Sequence, residues 1–262
     1  MLFDSHSHTK FSADSEMTAK EALAAAEKLG IGIVFTEHID FSYPGELDFT
    51  FAPKAYWSEY EPLRGDNLRL GVEVGLVPGE RKQAEDFINE APFDEVIGSI
   101  HLVDGRDIYE KDCYEGKSQD EMYRHYLSLM KEMILANPYI DILGHIDYIS
   151  RYAPYEDPGV QYDRWPDEID AVLRAAIETD TVMELNTRRF GTPINFKQMV
   201  PVFKRYHELG GRYITIGSDA HTADAIGAYF GLAEQFAEEL ELVPVTFEKR
   251  EMQILKEKLK SA

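Results

Sequence analysis

Two histidines one residue apart, His6 and His8, follow the chain's first apolar run, residues 2–5. On an extended strand that spacing turns both imidazoles to one side, which suits chelation of a metal ion. Asp219 and His221 repeat the spacing with a carboxylate in the first position. Other metal-competent groups obey the same rule of place. Glu37 and His38 follow the run 32–36, Glu73 ends the run that starts at 68, His101 follows 95–100 and His145 follows 140–143. Asn186 and Arg188 follow 182–185, and the Asp219–His221 pair follows 213–216. Taken singly, Glu73, His101 and His145 also read as hydrogen-bonded interior residues. Together they do not, because six of the chain's eight histidines fall at strand ends, and core histidines have no reason to share such a place. Asp14, in the loop Phe11-Ser-Ala-Asp-Ser, fits either a ligand or a helix cap. His125 and His207 fall inside helical patterns and read as surface or packed residues.

The elements that must position these groups alternate short apolar runs with helical patterns, the mark of a parallel α/β fold. Thr18-Ala-Lys-Glu21 is a capping box opening an Ala-rich helix that Gly30 would close. Ser118-Gln-Asp-Glu121 is a second, ahead of a helix running to about Ala136. Further helices are expected over 81–89, 166–178, 197–208 and 223–239. Seven strand–helix units predict a barrel of fewer than eight strands, distorted or incompletely closed, with one domain spanning 1–262. In such barrels the C-terminal strand ends converge on one face, where active sites are built. Residues 41–63, rich in Phe, Tyr, Trp and Pro, fit either a lid over that face or a connection packing aromatics on it.

The formal charge is 27 − 48 = −21, which disfavours nucleic acid as a partner. An anionic substrate would need local positive charge from metals or arginines. No apolar run approaches the ~18 residues of a membrane span, and the N-terminus lacks a basic segment or cleavage signal. The one cysteine, Cys113, sits in a polar stretch without a helper base; it excludes an internal disulfide and fits a cytoplasmic protein. Nothing in the pattern fixes an oligomeric state.

In order along the chain, His6-Ser-His8, Thr36-Glu37-His38, Glu73, Gly98-Ser-Ile-His101, Gly144-His145 and Ser218-Asp219-Ala-His221 resemble the PHP superfamily, named for polymerase and histidinol phosphatase. The resemblance implies a distorted (β/α)7 barrel holding two to three divalent ions. It implies that His6, His8, Glu73 and Asp219 hold the first, and that Glu73 bridges to a second held also by His101 and His145. Asp14, His38 and His221 would hold the third. Some relatives carry histidine at the Asp14 position. Zn, Mn and Fe all accept such mixed sites. Within the superfamily, Phe11-Ser-Ala-Asp-Ser-Glu, Phe35-Thr-Glu-His-Ile-Asp-Phe, Ala91-Pro-Phe-Asp, Gly144-His-Ile-Asp-Tyr, Arg151-Tyr-Ala-Pro-Tyr and Glu184-Leu-Asn-Thr-Arg188 resemble the histidinol-phosphate phosphatases.

The expected chemistry is hydrolysis of a phosphate monoester, histidinol phosphate first, as a step of histidine biosynthesis. Paired metals can clamp phosphoryl oxygens and activate water, while Arg151 and Arg188 bind the phosphate as bidentate donors. Arg189, adjacent, should point elsewhere. Asp219 or His221 would protonate the leaving group. Glu37 would either meet the amine of histidinol or orient a ligand histidine. Competing readings are another phosphate monoester (a sugar phosphate or phosphotyrosine), amidohydrolase chemistry, and a non-catalytic metal-binding module. The second usually needs a lysine ending a strand, and none does. The third predicts missing ligand positions, and none is missing.

Overall fold

All seven apolar runs are β-strands in the computed structural model, which describes residues 1–255. The first half of the chain comprises β1 (Phe3–Asp4), α1 (Ala19–Leu29), β2 (Gly32–Ile39), α2 (Pro53–Tyr60), β3 (Leu68–Gly75), α3 (Arg81–Ile88), β4 (Val96–Ser99), β5 (Leu102–Val103) and β6 (Arg106–Asp107). The second half comprises α4 (Gln119–Ala136), β7 (Ile142–Leu143), α5 (Pro166–Glu178), β8 (Val182–Asn186), α6 (Pro193–Glu208), β9 (Tyr213–Gly217), α7 (Phe230–Glu239), β10 (Val243–Glu248) and β11 (Glu251–Ile254).

The sheet runs β1-β2-β3-β4-β7-β8-β9, every neighbour parallel, with Val72 opposite Val96, Ile97 opposite Ile142 and Met183 opposite Ile214. Sequence order and spatial order agree because each helix returns the chain to start the next strand alongside the last. The sheet then curls until its ends meet. The Ser5 amide donates to Ile216 O at 2.9 Å, His8 N to Ala220 O at 2.8 Å and Asp219 N to His6 O at 2.8 Å. This is the distorted seven-stranded barrel expected.

The β10–β11 hairpin was not anticipated. Its β10 pairs parallel with the start of β9, and Val245 and Phe247 pack on Ile97, Ile142 and Val182 inside the barrel. The hairpin therefore plugs the end opposite the strand C-termini. Arg250 pairs there with Asp141, and Arg64 grips Asp94 with both carboxylate oxygens at 2.8 and 2.6 Å. Lys249 and Arg250 both take positive φ at the turn, a conformation usually signalled by Asn or Gly. No such signal marks this one.

Other differences are local. Strands β2 and β3 run three residues further than the apolar runs, so Glu37, His38 and Glu73 lie within strands, not beyond them. Helix α6 starts at Pro193, where Thr192 caps it and proline suits the first turn. Helix α7 starts only at Phe230, because Gly227 and Tyr229 take left-handed φ of 64° and 61°. Within 41–63, α2 buries Tyr56 and Tyr60 completely, and Phe51 packs edge-on to Phe87. That part is a packed connection, while Phe49 reaches the ring of His38 at 5.4 Å. Among the described residues, no helix is long and apolar enough to cross a membrane.

Both capping boxes form as read. Thr18 Oγ1 accepts from Glu21 N, and the Glu21 carboxylate takes the Thr18 amide at 2.9 Å, with Gly30 closing α1 at φ 69°. Thr18→Ala will lower unfolding free energy by about 1 kcal/mol. Urea denaturation checks this: a midpoint unchanged at equal m-value would mean the box contributes nothing.

Candidate metal centre

The centre of the site is the carboxylate of Glu73, which β3 presents wholly buried inside the barrel mouth. Its Oε2 lies 2.9 Å from His38 Nδ1, 3.2 Å from His6 Nε2 and 3.6 Å from His8 Nε2. Its Oε1 lies 2.9 Å from His145 Nε2 and 3.3 Å from His101 Nε2, and accepts the Ser99 hydroxyl at 2.6 Å. Five imidazoles thus surround one carboxylate. Asp219 stands opposite, 3.5 Å from His8 and 3.9 Å from His6. At the outer edge Asp14 lies 3.0 Å from His221 and 3.7 Å from His38.

A metal fits these residues. His6 Nε2, His8 Nε2, His38 Nδ1, His101 Nε2 and Glu73 Oε2 are buried, and none makes a well-directed hydrogen bond. Burying so many unsatisfied groups is costly unless a cation satisfies them. Four overlapping groups have ligand atoms close enough to share an ion: His6–His8–Glu73, His6–His145–Asp219, His38–Glu73–His101 and His8–His38–His221.

The electrostatics agree. Burial pushes the Glu73 carboxyl up, but His6, His38 and His101 outweigh it and hold it well below the usual range. Burial likewise opposes protonation of His6 and His101, yet their carboxylate neighbours raise both well above ordinary histidine. His38 is also raised, chiefly by Glu73 against its burial. His8 and His145 are lowered, first by burial. The cage therefore favours positive charge at its centre.

Behind the donors stands a layer of positioning contacts. Glu184 accepts from His6 Nδ1 at 2.6 Å, Asp40 lies 3.0 Å from His101 Nδ1, and Ser12 Oγ is 3.1 Å from His8 Nδ1. Asp4 takes the Ser218 amide and hydroxyl and the Gly227 amide, fixing the loop that carries Asp219. Sequence reasoning passed over Glu184 and Asp40. A carboxylate within the apolar strand Val182–Asn186, and an aspartate two places beyond His38 just past the end of β2, were the available signals.

Both arginines reach the centre. Arg151 Nη1 is 2.6 Å from Asp219 Oδ2 and its Nη2 donates to Asn186 Oδ1 at 3.1 Å; Arg188 Nη1 is 3.1 Å from Asp219 Oδ1 and 3.0 Å from His221 Nδ1. Guanidinium groups and metal donors thus share one cleft, the composition of a phosphate site.

Comparison with known proteins agrees with this geometry. The PHP domain model matches residues 4–188. The chain belongs to the PHP domain family. Among its relatives, a probable histidinol-phosphatase of Clostridium acetobutylicum is 44% identical over 96% of this chain and 99% of its own length. The histidinol-phosphatase of Lactococcus lactis is 32% identical over 84% of each. The crystal structure of histidinol phosphate phosphatase from that organism, complexed with zinc, L-histidinol and phosphate, superposes with a TM-score of 0.90 at 29% identity. It covers 96% of this chain, and this chain 98% of it.

The PHP fold turns one expected site residue away. Glu37 is fully buried, its oxygens taken by Thr9 N, Thr9 Oγ1 and Ser12 Oγ at 2.9, 2.5 and 2.7 Å. Strand alternation sends Glu37 and His38 to opposite faces, away from a substrate amine, and through Ser12, 3.1 Å from His8 Nδ1, Glu37 stands behind a metal-competent histidine, the other of its two expected places. Arg189 points elsewhere, to Asp147 at 2.7 Å. His125 pairs with Asp104 on the surface, and burial pushes the Cys113 thiol up to about 11, leaving it unreactive.

Proposed function

We propose that this chain is a metal-dependent histidinol-phosphatase, hydrolysing L-histidinol phosphate to L-histidinol and phosphate, and that residues 1–262 act as one metallophosphoesterase domain. The observation that carries the reading is the meeting of Arg151 and Arg188 on Asp219, inside the histidine–carboxylate cage. The likeness to a phosphatase holding zinc, L-histidinol and phosphate supports the choice of ester.

In this reading His6, His8, Glu73 and Asp219 would hold one ion, and Glu73, His101 and His145 would hold a second. Asp14, His38 and His221 would hold a third. Zinc, manganese or iron bound there would supply Lewis acidity toward phosphoryl oxygens and activation of water near neutral pH. The protein's own groups do the rest. Arg151 and Arg188 bind the phosphoryl oxygens and oppose the charge that builds on them. The Arg151 Nε–H, buried without a hydrogen bond, is a donor left for phosphate. Asn186 and the ring of Tyr148, 5.0 Å from the guanidinium, hold Arg151 in place. The leaving alkoxide is protonated from the Asp219–His221 side. Tyr43, Phe49 and the Asp107 carboxylate, which accepts the Tyr43 hydroxyl at 2.9 Å, border the His38 side. A formal charge of −21 fits a small metabolite in the cytoplasm better than nucleic acid.

Phosphate release from L-histidinol phosphate, sugar phosphates and phosphotyrosine tests the substrate. With metal-reconstituted protein, kcat/KM for L-histidinol phosphate will reach about 10⁴ M⁻¹s⁻¹ or more and stand far above the others. Comparable weak rates on every ester would sink the assignment.

A further inference from the structure

Glu184 lies in the middle of β8, its side chain 1% exposed, and among the described residues no Lys or Arg pairs with it. Its oxygens are nonetheless fully used. Oε1 accepts from His6 Nδ1 at 2.6 Å and from Asn186 Nδ2 at 3.2 Å, and Oε2 accepts the backbone amide of His145 at 2.7 Å. One carboxylate thus holds two metal-competent residues from different parts of the barrel, a side chain following β1 and a backbone segment following β7.

The fold makes room for this reach. A Cβ on Gly217 would stand 2.2 Å from Glu184 Oε1 and 2.5 Å from His6 Cβ. Only glycine at that place on β9 lets the carboxylate cross to the imidazole. The bond also sets the tautomer: with Nδ1–H donated to Glu184, the lone pair of His6 is on Nε2, which faces Glu73 and Asp219 at 3.2 and 3.9 Å. His6 belongs to two of the four metal-competent groups, and in one of them its companions are His145 and Asp219. Asp40 offers the contrast: among the described residues its carboxylate hydrogen-bonds His101 alone, with His38 Nδ1 4.0 Å away.

We propose that Glu184 is a shared positioning residue, which fixes His6 and His145 together so that the ion held through His6 and the ion held through His145 are gained and lost as a set. This rests on the metal-centre reading alone, not on which phosphate ester is hydrolysed.

The test is zinc titration of the chelator-stripped full chain by calorimetry, with metal content after desalting and the visible absorption of a cobalt-substituted sample. Glu184→Gln keeps the volume but offers one acceptor oxygen where two are used. It will weaken zinc binding at both the His6 and the His145 positions by about 10–100-fold, lower the zinc retained, and alter the cobalt spectrum. Binding through Asp14, His38 and His221 will persist. Gly217→Ala, which displaces the same carboxylate by contact, will reproduce that pattern, and it carries the test if the Gln variant does not fold. Asp40→Asn will weaken a single binding step. Wild-type zinc stoichiometry and affinities in folded Glu184→Gln or Gly217→Ala would overturn the proposal, whatever happened to turnover. So would loss of one step only. The titration uses no substrate, so failure of the histidinol phosphate assignment would show separately.

Discussion

Glu73→Gln will strip the site of most of its metal and lower kcat/KM by on the order of 10³-fold or more, the equivalent of the several kcal/mol that metal clamping supplies. The reason is the number of groups that use this one side chain. Five imidazole nitrogens lie within 2.9 to 3.6 Å of its two oxygens. An amide offers one oxygen and turns an NH₂ toward the remaining nitrogens, so it can neither bridge two cations nor hold protons on the histidines. The variant is isosteric, so circular dichroism will be unchanged. The same argument fixes the pH response. His6, His38 and His101 are raised by their carboxylate neighbours, so a metal must displace their protons. Affinity therefore weakens as pH falls through those raised values. Elemental analysis of the purified variant beside phosphate release decides the matter. Full metal content with kcat/KM within tenfold of wild type would show that Glu73 is not the bridging group.

Chelation explains why so much of the cage was legible in the sequence. It requires particular residue types at strand ends, and His6, His8, His101, His145 and Asp219 all follow strands whose apolar runs are plain. What was hidden lay in groups whose partners are distant along the chain. Glu184 meets His6 across 178 residues and Asp40 meets His101 across 61, and no local pattern announces either contact. Glu37 stayed open between two places because its neighbour His38 does enter the site, whereas alternation along β2 sends Glu37 to Thr9 and Ser12, behind His8. The β10–β11 hairpin escaped for a different reason. Its turn residues, Lys249 and Arg250, are poor formers of positive φ, held there by Asp94, which accepts the Lys249 amide on its side chain and the Arg250 amide on its backbone.

The second large effect concerns Arg151. Arg151→Lys will retain metal and fold but lose roughly 10²–10³ in kcat, the usual effect of removing one preorganised donor to developing charge. Lysine keeps the charge near Asp219, so the carboxylate opposite it does not become an unpaired buried anion. What lysine lacks is the planar fork that lets Arg151 contact Asp219 at 2.6 Å and Asn186 at 3.1 Å while its buried Nε–H makes no hydrogen bond. Arg188 is more exposed, its side chain 40% accessible against 8% for Arg151. Its loss should act more on substrate capture, raising KM more than it lowers kcat. The two substitutions thus separate a buried donor from one at the cleft edge. Steady-state kinetics at matched metal content makes the comparison. If Arg151→Lys left kcat intact, Arg151 would be only the counter-ion of Asp219, and the phosphate would be gripped by Arg188 and the ions alone.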